Sequence, residues 1–60
     1  MVKEYIEKRI SRTEILLDDT CRLIKKMAQE DLWEAVEQVE NARNIIIKLI
    51  EEDEELLKKY

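Results

Sequence analysis

Sixty residues without a single glycine or proline leave this chain few ways to change direction. Those two residues are the usual punctuation of a fold, so any break here must come from a capping residue instead. One stretch supplies it: Gln29-Glu30-Asp31-Leu32-Trp33-Glu34. Asp31 followed three residues later by Glu34 has the spacing of a capping box. In that motif the Asp side chain accepts from the Glu34 N–H and the Glu34 side chain reaches back to the Asp31 N–H. An apolar pattern resumes directly afterwards with Leu32, Trp33 and Val36. The rest is mainly Glu, Lys, Leu, Ile, Ala and Arg, all strong helix formers. The expected architecture is all-α, an antiparallel helical hairpin forming one domain over residues 1–60. Its first helix is expected over about 2–28, its turn over about 29–31 and its second helix over about 32–59. The alternative is one continuous helix about 90 Å long in a coiled coil, because Ile24, Ala28, Leu32, Ala35 and Val39 run on with no break in phase.

Each half carries an apolar stripe at steps of three and four. The first is Ile6, Ile10, Thr13, Leu17, Cys21, Ile24 and Ala28. Leu16, Thr20, Leu23 and Met27 widen it on one side, enough to touch two neighbouring helices. Ile15 falls outside it. The second stripe is Leu32, Ala35/Val36, Val39, Ala42, Ile46, Leu49/Ile50, Leu56/Leu57 and Tyr60, interrupted by Asp53, with Arg43 on its flank. Ile47 lines up with Trp33, Glu40 and Asn44, away from the stripe, and Ile45 points elsewhere again. Glu4–Lys8, Asp18–Arg22, Glu54–Lys58 and Glu55–Lys59 have the spacing of i,i+4 ion pairs.

A lone two-helix hairpin buries one narrow stripe per helix, too little to offset the ordering of 60 residues. Self-association follows as an expectation, with a homodimer closing into a four-helix bundle. The oligomer core is expected from Ile10, Leu17, Ile24, Val39, Ile46 and Ile50. Trp33, Arg43, Ile45 and Ile47 are the candidate partner or oligomer contacts. Trp33 reads either as a staple on the corner or as an exposed anchor of the kind frequent at binding hot spots. Ile45 and Ile47 read as oligomer interface or as a docking patch. Arg43 covers the core with its aliphatic stem, its head paired to Glu40 or a neighbouring chain. Charge favours the hairpin independently. Residues 1–30 hold seven basic and six acidic side chains, net +1, and residues 31–60 hold four and nine, net −5. With the turn near residue 30, residue i faces about residue 60 − i, which sets Lys8, Arg9 and Arg12 beside Glu51-Glu52-Asp53-Glu54-Glu55.

Little chemistry is on offer. The chain has no His, the commonest general base and a favoured metal ligand. It has no Gly-rich phosphate loop and no Glu-x-x-His di-iron motif. Glu34, Glu37 and Glu40 share a face but read as a solvated one, and Cys21 reads as a small buried hydrophobe. A non-enzymatic protein with no cofactor and no metal is expected. The longest apolar run, Ile45-Ile46-Ile47, is far short of the ~18 residues of a membrane span. A single cysteine and no signal-peptide core at the N-terminus make the cytoplasm the expected compartment. Basic residues gather only at Lys3, Lys8, Arg9 and Arg12 and at Arg22, Lys25 and Lys26. The chain pI is about 4.8, so nucleic acid is disfavoured as a partner.

Around the corner, Met27-Ala28-Gln29-Glu30-Asp31-Leu32-Trp33-Glu34 resembles the flagellar export chaperone FliT family. That family ends one helix on a Leu-Ala pair and opens the next with Trp and an acidic residue. Thr20, Leu23, Ile24, Glu40, Arg43, Ile46 and Ile47 extend the likeness over about residues 15–50. The family often has Gly in its turn, where this chain has Glu30-Asp31, and it adds further helices. The resemblance implies a cytoplasmic binding protein that guards an aggregation-prone helical segment of an export substrate. The leading functional expectation is therefore a protein-binding module or small chaperone that packs a partner's amphipathic helix. A purely structural or regulatory self-associating bundle is the second, and an RNA-binding dimer built like Rop is the third.

Overall fold

A computed structural model describes all residues from Met1 to Tyr60. It is a two-helix antiparallel hairpin, α1 (Val2–Gln29) and α2 (Trp33–Leu57). Its long dimension is 45 Å, half that of a continuous 60-residue helix, so the rod alternative is set aside. α2 starts one residue later than the sequence suggests and gives way to a turn at Lys58.

The corner forms where expected but by a different device. α1 ends with Asp31 in the left-handed region at φ 60°. Its N–H donates to Ala28 O at 3.1 Å, and the Leu32 N–H donates to Met27 O at 3.0 Å. Those two bonds make a Schellman closure, in which a left-handed residue satisfies the last carbonyls of a helix. Glycine is the usual occupant. Asp is among the few other residues that tolerate the position. The capping box is thereby excluded. An N-cap needs extended backbone, and Asp31 is already committed to the left-handed region. Leu32 becomes the N-cap of α2 at φ −89°, ψ 65°, with no side-chain cap bond. Its carbonyl accepts from the Val36 N–H at 2.9 Å.

The helices meet along the predicted stripes. Ile6, Ile10, Val36 and Ile46 are buried, Ile6 to 2% exposure. Thr13, Leu17, Ile24, Val39, Ile50, Leu56 and Leu57 are half-buried around them. Thr13 and Thr20 sit on this face without stranding a hydroxyl. Each Oγ1 donates to the carbonyl four residues back, Arg9 O at 2.8 Å and Leu16 O at 2.7 Å, a common resting place for a helical threonine. Cys21, Leu32, Ala42 and Leu49, assigned to the stripes from sequence, are exposed. They occupy the margins, because two helices in contact cover only a narrow seam of each. Of the surface ion pairs, Arg22 joins Asp19 rather than Asp18, and Lys58 lies 3.3 Å from Glu55 rather than joining Glu54.

Candidate functional site

One charged contact crosses between the helices. Arg9 Nε donates to Asp53 Oδ2 at 2.8 Å and Arg9 Nη2 to Asp53 Oδ1 at 2.6 Å. This fork-on-fork geometry is the strongest form of an Arg–carboxylate pair. The Arg9 guanidinium also lies 5.9 Å from the Tyr5 ring centroid, within cation–π range. The register is therefore i facing about 62 − i, two residues from the value read off the turn. Of the basic cluster Lys8, Arg9 and Arg12, only Arg9 reaches the acidic run. Asp53, which looked like an interruption of the stripe, is the acceptor that closes the open end. Its side chain is only 14% exposed. Hydrogen bonds from Arg9, with the Arg9 charge behind them, hold the Asp53 carboxyl below its ordinary pKa, although partial burial pulls the other way. The same hydrogen bond, and then the Asp53 charge, raise the pKa of Arg9.

Arg9 and Asp53 also fix which side of the hairpin is which. At about 100° per residue, the residue preceding each buried position lies on one flank of its helix. In an antiparallel pair those two flanks fall on the same side. Arg9 precedes Ile10, Asp53 lies one turn on from Leu49, and the two side chains join across that side. On α1 the flank continues through Leu16, Leu23 and Met27. On α2 it carries Ala35, Ala42, Ile45 and Leu49. Four large members are open to solvent, Leu16 at 52% exposure, Leu23 at 48%, Ile45 at 62% and Leu49 at 49%, while Met27 is half-buried. From the middle of the hairpin to the turn the flank is mainly apolar, broken by Thr20 and Gln38. It becomes charged toward the open end, at Arg9, Arg12, Glu52 and Asp53.

The residues singled out from sequence divide accordingly. Ile10, Leu17, Ile24, Val39, Ile46 and Ile50, expected in an oligomer core, line the seam between α1 and α2 of one chain. Ile10 and Ile46 are buried there, and the other four keep accessible surface. Ile45 belongs to the open apolar flank. Trp33 and Ile47, two heptads apart, lie on the opposite flank. Arg43 edges that side, with Nη2 3.9 Å from Glu40 Oε2. The four candidate contacts thus do not form one patch. Trp33 is 61% exposed and stands over an open depression beside the turn, among Asp31, Leu32 and Gln38. Leu16, Leu23 and Leu49, which carry most of the flank, were visible in sequence only as the widened margin of a stripe.

The depression beside Arg9 and Asp53 is lined by charged side chains, with Leu56 its one apolar member. No three His, Cys, Asp or Glu side chains converge to hold a metal ion, and no helix is long and apolar enough to cross a membrane. No family model matches the chain, and neither a curated protein nor a solved structure does.

Proposed function

We propose that this chain is a non-enzymatic helix-packing module, which binds amphipathic helices through the open flank formed by Leu16, Leu23, Ile45 and Leu49. One observation carries the reading. A chain with only four buried residues leaves large apolar side chains uncovered on the same flank of both helices, over the half of the hairpin nearer the turn. Helix-in-groove recognition needs apolar anchors at helical spacing, and a wide stripe on each helix supplies them. A small-chaperone role, as the FliT resemblance implies, is the case in which the packed helix belongs to an export substrate. The purely structural bundle is the case in which it belongs to another copy. An RNA-binding role has less support, because the α2 surface is strongly acidic and Arg9 is spent on Asp53.

The test combines light scattering with uptake of an anilinonaphthalene sulfonate dye, from low micromolar to near-millimolar protein. The expected result is either a mass above one chain or a monomer that binds the dye, with Leu49→Glu abolishing whichever is seen. A monomer that neither associates nor takes up dye would overturn the proposal.

A further inference from the structure

We infer that the occupant of the open flank is a second copy of this chain, docked with both turns at the same end, so that α1 of each copy lies on α2 of its partner. The inference rests on the flank being a helix-packing surface. It adds the identity of the partner and its orientation.

Size permits a self-complementary contact. Two helices side by side present a face about 20 Å wide. Over the 45 Å length of the hairpin that is about 900 Å², close to the ~800 Å² per partner of a stable interface.

Two face-to-face dimers are compatible with two-fold symmetry. With the axis along the helices, the turns share an end and α1 meets the partner's α2. With the axis across the helices, the turns lie at opposite ends, and each helix meets its own counterpart. Charge separates the two. α1 has seven basic and five acidic residues, net +2, and α2 has two basic and eight acidic, net −6. Opposed turns would stack one net −6 helix on another. Shared turns set a net −6 helix on a net +2 helix, twice.

The distribution of apolar side chains selects the same arrangement. They occupy the middle and the turn half of the flank, and the open end is charged. Shared turns lay apolar surface on apolar surface with the hairpins fully overlapped, whereas opposed turns do so only where the copies slide toward their turns and shorten the overlap. In the register set by Arg9 and Asp53, Leu16 then comes level with the partner's Ile45 and Leu49. Leu23 comes level with the partner's Val39, between Gln38 and Ala42, and Met27 comes level with the partner's Ala35. At full overlap, opposed turns would bring Leu23 level with the partner's Lys8. At the rim of the shared-turn dimer, exposed Arg12 lies within about two residues, or 3 Å along the axis, of the partner's Glu52. Lys26 has the same relation to the partner's Glu34.

Spin labels at the turn test the orientation. In a Cys21→Ser background, which removes the only native thiol, Glu30→Cys carries one nitroxide per chain. Pulsed dipolar spectroscopy should find the two labels about 20 Å apart, roughly two helix diameters. A separation near the 45 Å hairpin length would overturn the orientation. A monomer that binds dye would overturn self-docking and leave the helix-packing reading intact. Charge exchange supplies a second measurement that leaves the apolar face untouched. Arg12→Glu should weaken dimerisation about threefold to tenfold, as expected for a repeated rim pair, and Glu52→Arg added to it should restore the affinity. Ile47→Glu, on the opposite flank, should leave the dimer constant unchanged. Loss of the dimer in that variant would also count against the proposal.

Discussion

Asp31 shows how one residue settles the course of the chain. Its left-handed backbone at φ 60° lets a glycine-free sequence reverse direction. It does so at a cost that glycine, lacking Cβ, does not carry. Asp31→Gly should stabilise the hairpin by about 0.5–1 kcal/mol, and Asp31→Val should destabilise it by about 1–2 kcal/mol. Urea midpoints at fixed protein concentration would show the order Gly above Asp above Val. If Gly and Val fell together below Asp, the side chain rather than the backbone would be what holds the turn. The place of the turn was legible at this position, but its mechanism was not. Asp is favoured both as an N-cap and in the left-handed region. The spacing to Glu34 points to the first role alone, and only the backbone torsions decide between them.

Between the helices, Asp53 is the residue that sequence patterning misjudged most usefully. A carboxylate in an apolar stripe looks like a defect until the helix beside it is known to offer Arg9. Both helices, their stripes and their antiparallel pairing follow from periodicity and charge. The two-residue shift in register does not, because the exact turn geometry sets it. The division of Ile45 from Ile47 was also legible in outline. Their side of the hairpin was not, since a helical wheel has no direction until a cross-helix contact such as Arg9–Asp53 supplies one. This pair gives the fold an acid-sensitive component. The folded-state pKa of Asp53 is depressed, so its contribution is complete above the ordinary carboxylate value near 3.9. It is lost as the pH falls through the lower folded-state value. Asp53→Asn should therefore lower stability at neutral pH and flatten the decline below about pH 4. Chemical denaturation at a series of pH values measures this, and the difference should shrink in high salt. Parallel pH profiles for the two proteins would mean that the hydrogen bonds from Arg9 do not favour the ionised form.

For the whole molecule, the governing fact is a short supply of interior. Four buried side chains are a small return for two long helices, and large hydrophobic side chains such as Ile15, Leu16, Trp33 and Ile45 stay more than half exposed. Domains of this size are marginal, and oligomerisation is one common way of completing them. The thermal midpoint should therefore rise with protein concentration, as it does when association and folding are linked. Calorimetry over a hundredfold range of concentration reads this directly. A midpoint independent of concentration would show that the hairpin holds its fold alone.

The chain begins and finishes at the same extremity, where Arg9 grips Asp53. With two copies arranged turn beside turn, Tyr60 of one would come out next to Met1 of the other. A handful of residues would then suffice to write both hairpins as a single polypeptide of four helices. With the turns opposed, the same tether would have to travel the full 45 Å of the hairpin. The shortest linker between two copies of residues 1–60 that still permits a monomolecular bundle is thus a ruler for the assembly.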